Sequence, residues 1–223
     1  MNGGGEYLMY KRYKILLSAI CLALIVTIVI PLINIALEIN RKYVMAESLL
    51  SVTCFTLTDD SMEEIELKES ILLPREADWT MAINVVPGLP LELSYPDEYV
   101  KFTVRTSDGV LRNNINGESK FYGKEVELPN NSTIYWNNLS DYNQDELLFN
   151  ITAYLDIIIR ANEHIVGYAV IKIYPVTEFK QGHVYSAKML KSVSFPKVDG
   201  EYQNISLDFI ESEILNIKSK DPS

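Results

Sequence analysis

The sequence has little cysteine and little histidine, with two residues of each among 223. Cys21 lies inside a long apolar run and Cys54 inside a second one, so we expect no disulfide within a folded domain. Residues so far apart also lack the ligand spacing of a zinc site. We therefore read Cys54 as a small buried hydrophobic side chain and predict no cofactor.

Basic residues are in deficit. The chain has 20 Lys and Arg against 30 Asp and Glu, and from Glu38 onward the balance is 17 against 29, a formal charge of −12. Binding to phosphates requires a basic face that neutralises several charges, so nucleic acid is excluded as an expected partner. The surplus carboxylates are read as solubilising an exposed surface.

Catalytic motifs are missing as well. No phosphate-binding glycine loop and no nucleophile elbow occurs. The two imidazoles, His164 and His183, stand in no catalytic pattern and are read as surface residues. We therefore predict that the protein is not an enzyme, and we keep a hydrolase only as a third alternative.

One hydrophobic run is long enough to cross a membrane. Residues 15–37 are 23 consecutive uncharged residues, and a helix of that length spans about 34 Å, close to the thickness of the bilayer core. We predict a transmembrane helix there, with the lipid bilayer as a partner. The residues expected at the membrane interface are Tyr10, Lys11, Arg12, Tyr13 and Lys14.

The charges beside the predicted span give its orientation. Three basic residues precede it and two follow it, which favours a cytoplasmic tail over 1–14 and an extracytoplasmic location for the remainder, at the cell membrane. Residues 38–48 are predicted to form a short helical stalk. Cleavage at Val44-Met45-Ala46 is the alternative, although secretory signals usually have a shorter apolar region that lies closer to the cleavage site.

Residues 49–218 show the period-2 alternation of half-buried strands. The runs at Phe149–Ile159 and Ile165–Val176 predict a hairpin at the centre of a sheet. The apolar faces of the other predicted strands are Ile65, Leu67, Ile71 and Leu73; Trp79, Met81, Ile83 and Val85; Val100, Phe102 and Val104; Tyr185, Ala187, Met189, Val193 and Phe195; and Ile205, Leu207 and Phe209.

About ten to twelve short strands separated by turn residues, with no long amphipathic helix, predict a mainly β fold. We expect an antiparallel β-sandwich, immunoglobulin-like or jelly-roll-like, behind the one N-terminal transmembrane helix. Residues 219–223 are predicted to be a tail. Two small sandwiches divided near Pro129 are the alternative to one domain, but no linker-like composition lies there.

The sharpest local pattern is Asp141-x-Asn143-x-Asp145, whose alternating oxygen ligands resemble the start of a calcium loop. These three residues are the candidate metal ligands. Glu146 stands where an EF-hand needs glycine, so a solvated acidic loop is the favoured interpretation and calcium binding is the alternative.

Aromatic residues and acceptor asparagines surround this loop. Tyr135, Trp136 and Tyr142 are expected at core or sheet-surface positions, with a patch for a sugar or a peptide as the alternative. The Asn-x-Ser/Thr acceptors, which support an extracellular surface only in a host that glycosylates asparagine, begin at Asn130, Asn131, Asn138, Asn150 and Asn204.

The leading functional hypothesis is a binding or interaction module displayed outside the cytoplasmic membrane, with a protein or glycan partner. The alternative is a structural subunit of a larger membrane-embedded assembly. Small residues on one face of the predicted helix are typical of helix packing in membranes, and they are Ser18, Ala19, Ala23 and Thr27.

Overall fold

The computed structural model describes residues 43–57, 62–68, 71–73, 88–115, 118–140, 151–176 and 184–221. No helix among these residues is long and apolar enough to cross a membrane. The predicted tail at 1–14, the predicted span at 15–37 and the predicted interface residues Tyr10, Lys11, Arg12, Tyr13 and Lys14 lie outside the described residues. The described residues from Tyr43 onward form one compact unit.

Thirteen strands and one helix make up the described part of the chain. The strands are β1 (Ala46–Glu47), β2 (Ser51–Leu57), β3 (Met62–Glu66), β4 (Ile71–Leu73), β5 (Leu89–Ser94), β6 (Val100–Thr106), β7 (Val110–Ile115), β8 (Glu118–Gly123), β9 (Glu125–Pro129), β10 (Ser132–Asn137), β11 (Ala153–Ala161), β12 (His164–Val176) and β13 (Val184–Ser194). The helix is α1 (Leu207–Lys220).

These strands form two antiparallel sheets. The first sheet has the order β1-β13-β12-β11-β6-β9, with β4 also paired to β13, and the second has the order β3-β2-β5-β10-β7-β8. One cluster of buried side chains, here called the shared core, takes Phe102 and Leu155 from the first sheet and Leu91 and Trp136 from the second. The prediction of a mainly β architecture with antiparallel sheets is confirmed.

The period-2 pattern places side chains as expected in the central strands. In β6, Val100, Phe102 and Val104 are buried while Lys101 is exposed. β11 and β12 form the predicted hairpin and occupy the middle of the first sheet. Asn162 turns the chain with a φ of 53°, a left-handed conformation that asparagine tolerates in hairpin turns.

The alternation predicted for β13 is broken. The register of β12 against β13 shifts between Val170 and Ile171 and leaves Leu190 as an extra residue. Such a bulge exchanges the two faces of a strand beyond it. Tyr185 therefore faces the shared core whereas Val193 faces the opposite side of the sheet, and the prediction of one continuous apolar face was wrong.

The chain ends in a helix instead of the strand predicted at 205–209, so that prediction was also wrong. Ser206 caps α1, its side-chain oxygen accepting a hydrogen bond from the Phe209 amide. Ile210 and Ile214, one helical turn apart, are the buried residues of α1. The predicted boundary at residue 218 falls in the last turn of this helix.

α1 packs on the outer face of the first sheet, the face opposite the shared core. The apolar contact there is here called the outer cluster, and its buried members are Ile158, Ile165, Tyr168, Val170, Val193, Phe195, Ile205, Ile210 and Ile214.

The segment at 43–48 belongs to the folded unit and is not the predicted helical stalk. Its strand β1 pairs with the end of β13. The Gln203 side chain accepts a hydrogen bond from the Val44 amide and donates one to the Val44 carbonyl, both at 2.9 Å. The Tyr43 and Phe209 rings lie 4.7 Å apart between centroids. These contacts hold the segment at 43–48 against β13, Gln203 and Phe209.

Strand pairing defines two ends of the unit. The Tyr43 end holds β1 and the turn at Asn162, since β1 and the start of β12 pair with the same end of β13. The Gly109 end lies at the other end of the strands, where Gly109 approaches Trp136. α1 begins at the Tyr43 end and reaches the Gly109 end at Asp221.

Candidate functional site

A groove of about 470 Å³ opens at the Tyr43 end. Its volume is within the range of small-ligand sites. We call it the Tyr99 groove, and the residues that line it are Tyr99, Lys101, Glu127, Arg160, Asn162 and Glu163.

Strand pairing brings these residues together from distant parts of the chain. Lys101 in β6 pairs with Pro129 of β9 on one side and with Arg160 of β11 on the other. Asn162 and Glu163 form the turn that follows β11. The groove therefore rests on sheet strands and a two-residue turn, a rigid base for a site.

The cations Lys101 and Arg160 and the carboxylates Glu127 and Glu163 line the groove. The charges of the groove therefore balance, although the chain as a whole has a net charge of −10. The Lys101 Nζ lies 2.9 Å from the Glu127 Oε1. That hydrogen bond and the Glu127 charge, with a smaller effect of Glu163, raise the pKa of Lys101. Lys101 is therefore a cation and a hydrogen-bond donor at neutral pH.

Tyr99 has the most exposed large hydrophobic side chain in the described part of the chain, at 74%. Its backbone is nevertheless fixed, because the Tyr99 amide donates to the Asp97 Oδ1 at 3.0 Å. The Asp97 carbonyl in turn accepts a hydrogen bond from the Asn130 Nδ2 at 2.9 Å. An exposed ring thus sits on an ordered loop.

Asn130 completes this loop. Its Nδ2 also donates to the Tyr95 carbonyl at 2.7 Å, and its Oδ1 accepts from the Tyr95 amide at 2.9 Å. The side-chain amide of Asn130 is thereby committed to holding residues 95–97 against the turn after β9. We call these three hydrogen bonds the Asn130 clamp.

No protein family model, curated protein or solved structure matches this chain. The proposed function is therefore based on the chemistry of the residues that line the Tyr99 groove. Tyr99, Lys101 and Arg160 could not be predicted as a site from the sequence, because strand register brings them together and no local motif marks them.

The predicted calcium ligands Asp141, Asn143 and Asp145 lie outside the described residues. Within the described ranges, no three or more His, Cys, Asp or Glu side chains form a group that could hold a metal ion. The calcium site stays a prediction.

Trp136 lies in the core, as favoured by the sequence, and does not contribute to a surface aromatic patch. Trp136 is 1% exposed, its Nε1 donates to the Asp108 carbonyl at 3.0 Å, and its ring meets that of Tyr185 edge-on. The cavity of about 10 Å³ beside it has room for one water molecule. Trp136 is a core residue, while Tyr142 lies outside the described residues.

Cys54 and His164 occupy the positions expected of them. Cys54 is free and buried, and burial raises the pKa of its thiol to about 12, so little reactive thiolate forms near neutral pH. His164 is exposed at the start of β12, where it stacks on the Tyr202 ring with centroids 5.1 Å apart.

A second set of charges joins α1 to the first sheet. The Lys172 Nζ lies 2.6 Å from the Asp221 Oδ2, and the Lys218 Nζ lies 2.7 Å from the Asp156 Oδ2. Arg105 reaches Glu211 at 3.0 Å. Each pair links the helix to a strand, so this set of charges attaches α1 and does not form a ligand site.

The pKa values of two carboxylates in this set are shifted in opposite directions. Burial raises the pKa of Asp156, although Lys218 acts against it. Burial also acts on Asp221, but hydrogen bonds from Lys172 and Tyr154 outweigh it and lower the pKa of Asp221.

Proposed function

We propose that this protein is a membrane-anchored, non-enzymatic binding module: an antiparallel β-sandwich that lies outside the cytoplasmic membrane behind one transmembrane helix at 15–37. The Tyr99 groove is its binding site. The observation that carries the proposal is the exposed ring of Tyr99 on a loop fixed by the Asn130 clamp.

The groove has the properties of a binding site. Tyrosine is enriched at binding surfaces because its ring provides a large contact area at a low cost in side-chain entropy. A loop that is already ordered loses little further entropy when a partner binds. Lys101, with its raised pKa, is poorly suited to act as a general base at neutral pH. These features favour recognition over catalysis.

Display outside the membrane can be tested by cysteine labelling in a Cys21→Ser background. Leu215 is 67% exposed on α1, so Leu215→Cys should react with an impermeant maleimide on intact cells. Gly4→Cys should react only after the cells are opened, while the buried Cys54 gives little background. The reverse pattern would contradict the proposed orientation.

Binding can be tested by co-sedimentation of the purified full-length protein, kept in mild detergent, with the detergent-insoluble fraction of the cell envelope of its source organism. The wild type should sediment with the envelope, and a Tyr99→Ala/Arg160→Ala variant should stay in the supernatant. Leu215→Ala changes an equally exposed side chain on another surface and should behave as the wild type. Equal sedimentation of all three proteins would refute the groove as the binding site.

A further inference from the structure

We infer that the Tyr99 groove binds a neutral saccharide, which stacks on the Tyr99 ring and receives hydrogen bonds from the charged residues around it. This inference rests on the proposed function, since it names the ligand class of the same site.

The hydrogen-bonding groups of the groove match sugar hydroxyls. Lys101 and Arg160 only donate, Glu127 and Glu163 only accept, and Asn162 does both. A hydroxyl group both donates and accepts, so neighbouring hydroxyls of one sugar ring can satisfy a cation and a carboxylate at the same time. Hydrogen bonds to charged groups are also stronger than neutral ones.

The balance of charge selects a neutral ligand. Two cations and two carboxylates line the groove, so a phosphate or a polyanion would meet Glu127 and Glu163 as well as the two cations. The Lys101 and Glu127 side chains remain 63% and 56% exposed in their ion pair. Exposed pairs contribute little stability, so both groups can turn toward a ligand at low cost.

The lining is unsuited to a peptide held by apolar side chains. Tyr99 is the one aromatic residue of the groove, and the remaining five lining residues are polar or charged. Peptide recognition usually relies on apolar anchors that enter pockets. A pyranose ring offers one C–H face for the Tyr99 ring and a rim of hydroxyls for the polar residues, which matches this lining better.

Asn130 is a positioning residue for this site. It is not among the lining residues, but the Asn130 clamp holds the loop on which Tyr99 stands. Without the clamp the Tyr99 side chain is still present, but the loop that carries it is free to move. The expected loss of affinity therefore passes through Tyr99.

The ligand class can be tested by saturation-transfer NMR on the full-length protein in detergent. The probes are cellobiose, maltose and N,N′-diacetylchitobiose. At least one should receive saturation on the C–H protons of one ring face. Tyr99→Phe should keep this binding, and Tyr99→Ala should weaken it roughly three- to tenfold, the range expected for a lost ring contact. Leu215→Ala should leave it unchanged.

The role of Asn130 can be tested by a double-mutant cycle with the probe that binds. Asn130→Ala alone should weaken binding, whereas Asn130→Ala in the Tyr99→Ala background should cause little further loss, because residues that act through one contact are not additive. A loss that is equal in both backgrounds would overturn the positioning role.

The two proposals fail in different ways. If none of the disaccharides binds while envelope sedimentation still depends on Tyr99 and Arg160, the saccharide assignment is wrong and the site stands. If sedimentation is also independent of these residues, the proposed function itself is wrong.

Discussion

The shared core and the outer cluster are both apolar, but the outer cluster is bordered by ion pairs that cross its contact, from α1 to the first sheet. Between the sheets, Phe102, Leu91 and their neighbours come together because apolar and polar residues alternate along the strands. Under α1, the apolar contact around Ile210 continues into the pairs of Lys218 with Asp156 and of Lys172 with Asp221. A strand in a ladder has its direction fixed by backbone hydrogen bonds, and a helix lying on a sheet does not.

The charges on α1 add specific contacts with the strands beneath it. Its N-terminal half carries Glu211 opposite Arg105, and its last turn carries Lys218 opposite Asp156. Arg105 and Asp156 are cross-strand neighbours in β6 and β11, so both pairs hold α1 over the same part of the sheet. Apolar burial therefore attaches the helix, and the ion pairs join its two halves to β6 and β11.

Phe102→Ala should produce the largest loss, since this ring is fully buried in the shared core. We expect the free energy of unfolding to fall by about 3 to 5 kcal/mol. Urea unfolding of the full-length protein in detergent, followed by near-UV circular dichroism, measures it. Tyr99→Ala serves as the exposed control and should stay within about 0.5 kcal/mol of the wild type. Equal effects would mean that Phe102 is not a core residue.

Ile210→Ala tests the apolar part of the outer cluster. Ile210 is fully buried and Leu215 is 67% exposed on the same helix. We expect Ile210→Ala to cost about 2 to 3 kcal/mol, with Leu215→Ala within about 0.5 kcal/mol of the wild type. Amide hydrogen exchange in α1 should rise for Ile210→Ala. If exchange and stability are unchanged, α1 does not depend on this contact.

Lys218→Met tests the ion pairs that border the outer cluster. Removing Lys218 leaves the mostly buried Asp156 carboxylate without its partner, at an expected cost of about 1 to 3 kcal/mol. Lys220→Met removes an exposed charge from the same last turn and should cost a few tenths of a kcal/mol. The two variants are compared by thermal and urea unfolding. Equal losses would show that the bond to Asp156 contributes nothing specific.

The pH dependence of stability should give the smallest effect, with opposite signs for two carboxylates. The pKa of Asp156 is raised on folding, so its contribution falls as the pH rises from about 3.8 through that higher value. Asp156→Asn should therefore gain stability relative to the wild type as the pH rises above about 3.8.

Asp221 should behave in the opposite way. Its pKa is lowered on folding, so its contribution is present above about 3.8 and is lost as the pH falls through the lower value. Asp221→Asn should lose stability relative to the wild type as the pH rises toward about 3.8. Unfolding measured both below and above about pH 3.8 decides the two cases, and slopes of the same sign for the two variants would contradict the assignment.

Much of the sheet could be predicted from the sequence because alternation survives there. Val100, Phe102 and Val104 repeat at every second position, and the hairpin turn at Asn162 separates two apolar runs. The face change in β13 could not be predicted, since the extra residue Leu190 is defined only by its pairing with β12.

The helix was missed although its signals are present. Ile205, Leu207 and Phe209 alternate like a strand, yet Ser206 is a favourable N-cap and Ile210, Ile214 and Ile217 repeat at helical spacing. The short segment 205–209 alone fits a strand, whereas the longer segment that includes Ile217 fits a helix. The Tyr99 groove has no such signal, because its residues meet only through the register of β6, β9 and β11.

The course of α1 determines where an attached protein would emerge. The helix starts near Gln203, which binds Val44, and ends where Asp221 meets Lys172, and its 14 residues cover about 21 Å along the sheet. A fluorescent reporter or affinity tag fused to the C-terminus would thus leave from the Gly109 end, with the Tyr99 groove unobstructed. An insertion at Asn162 would place the same reporter directly over the groove. The two fusions therefore differ only in whether the reporter blocks the groove.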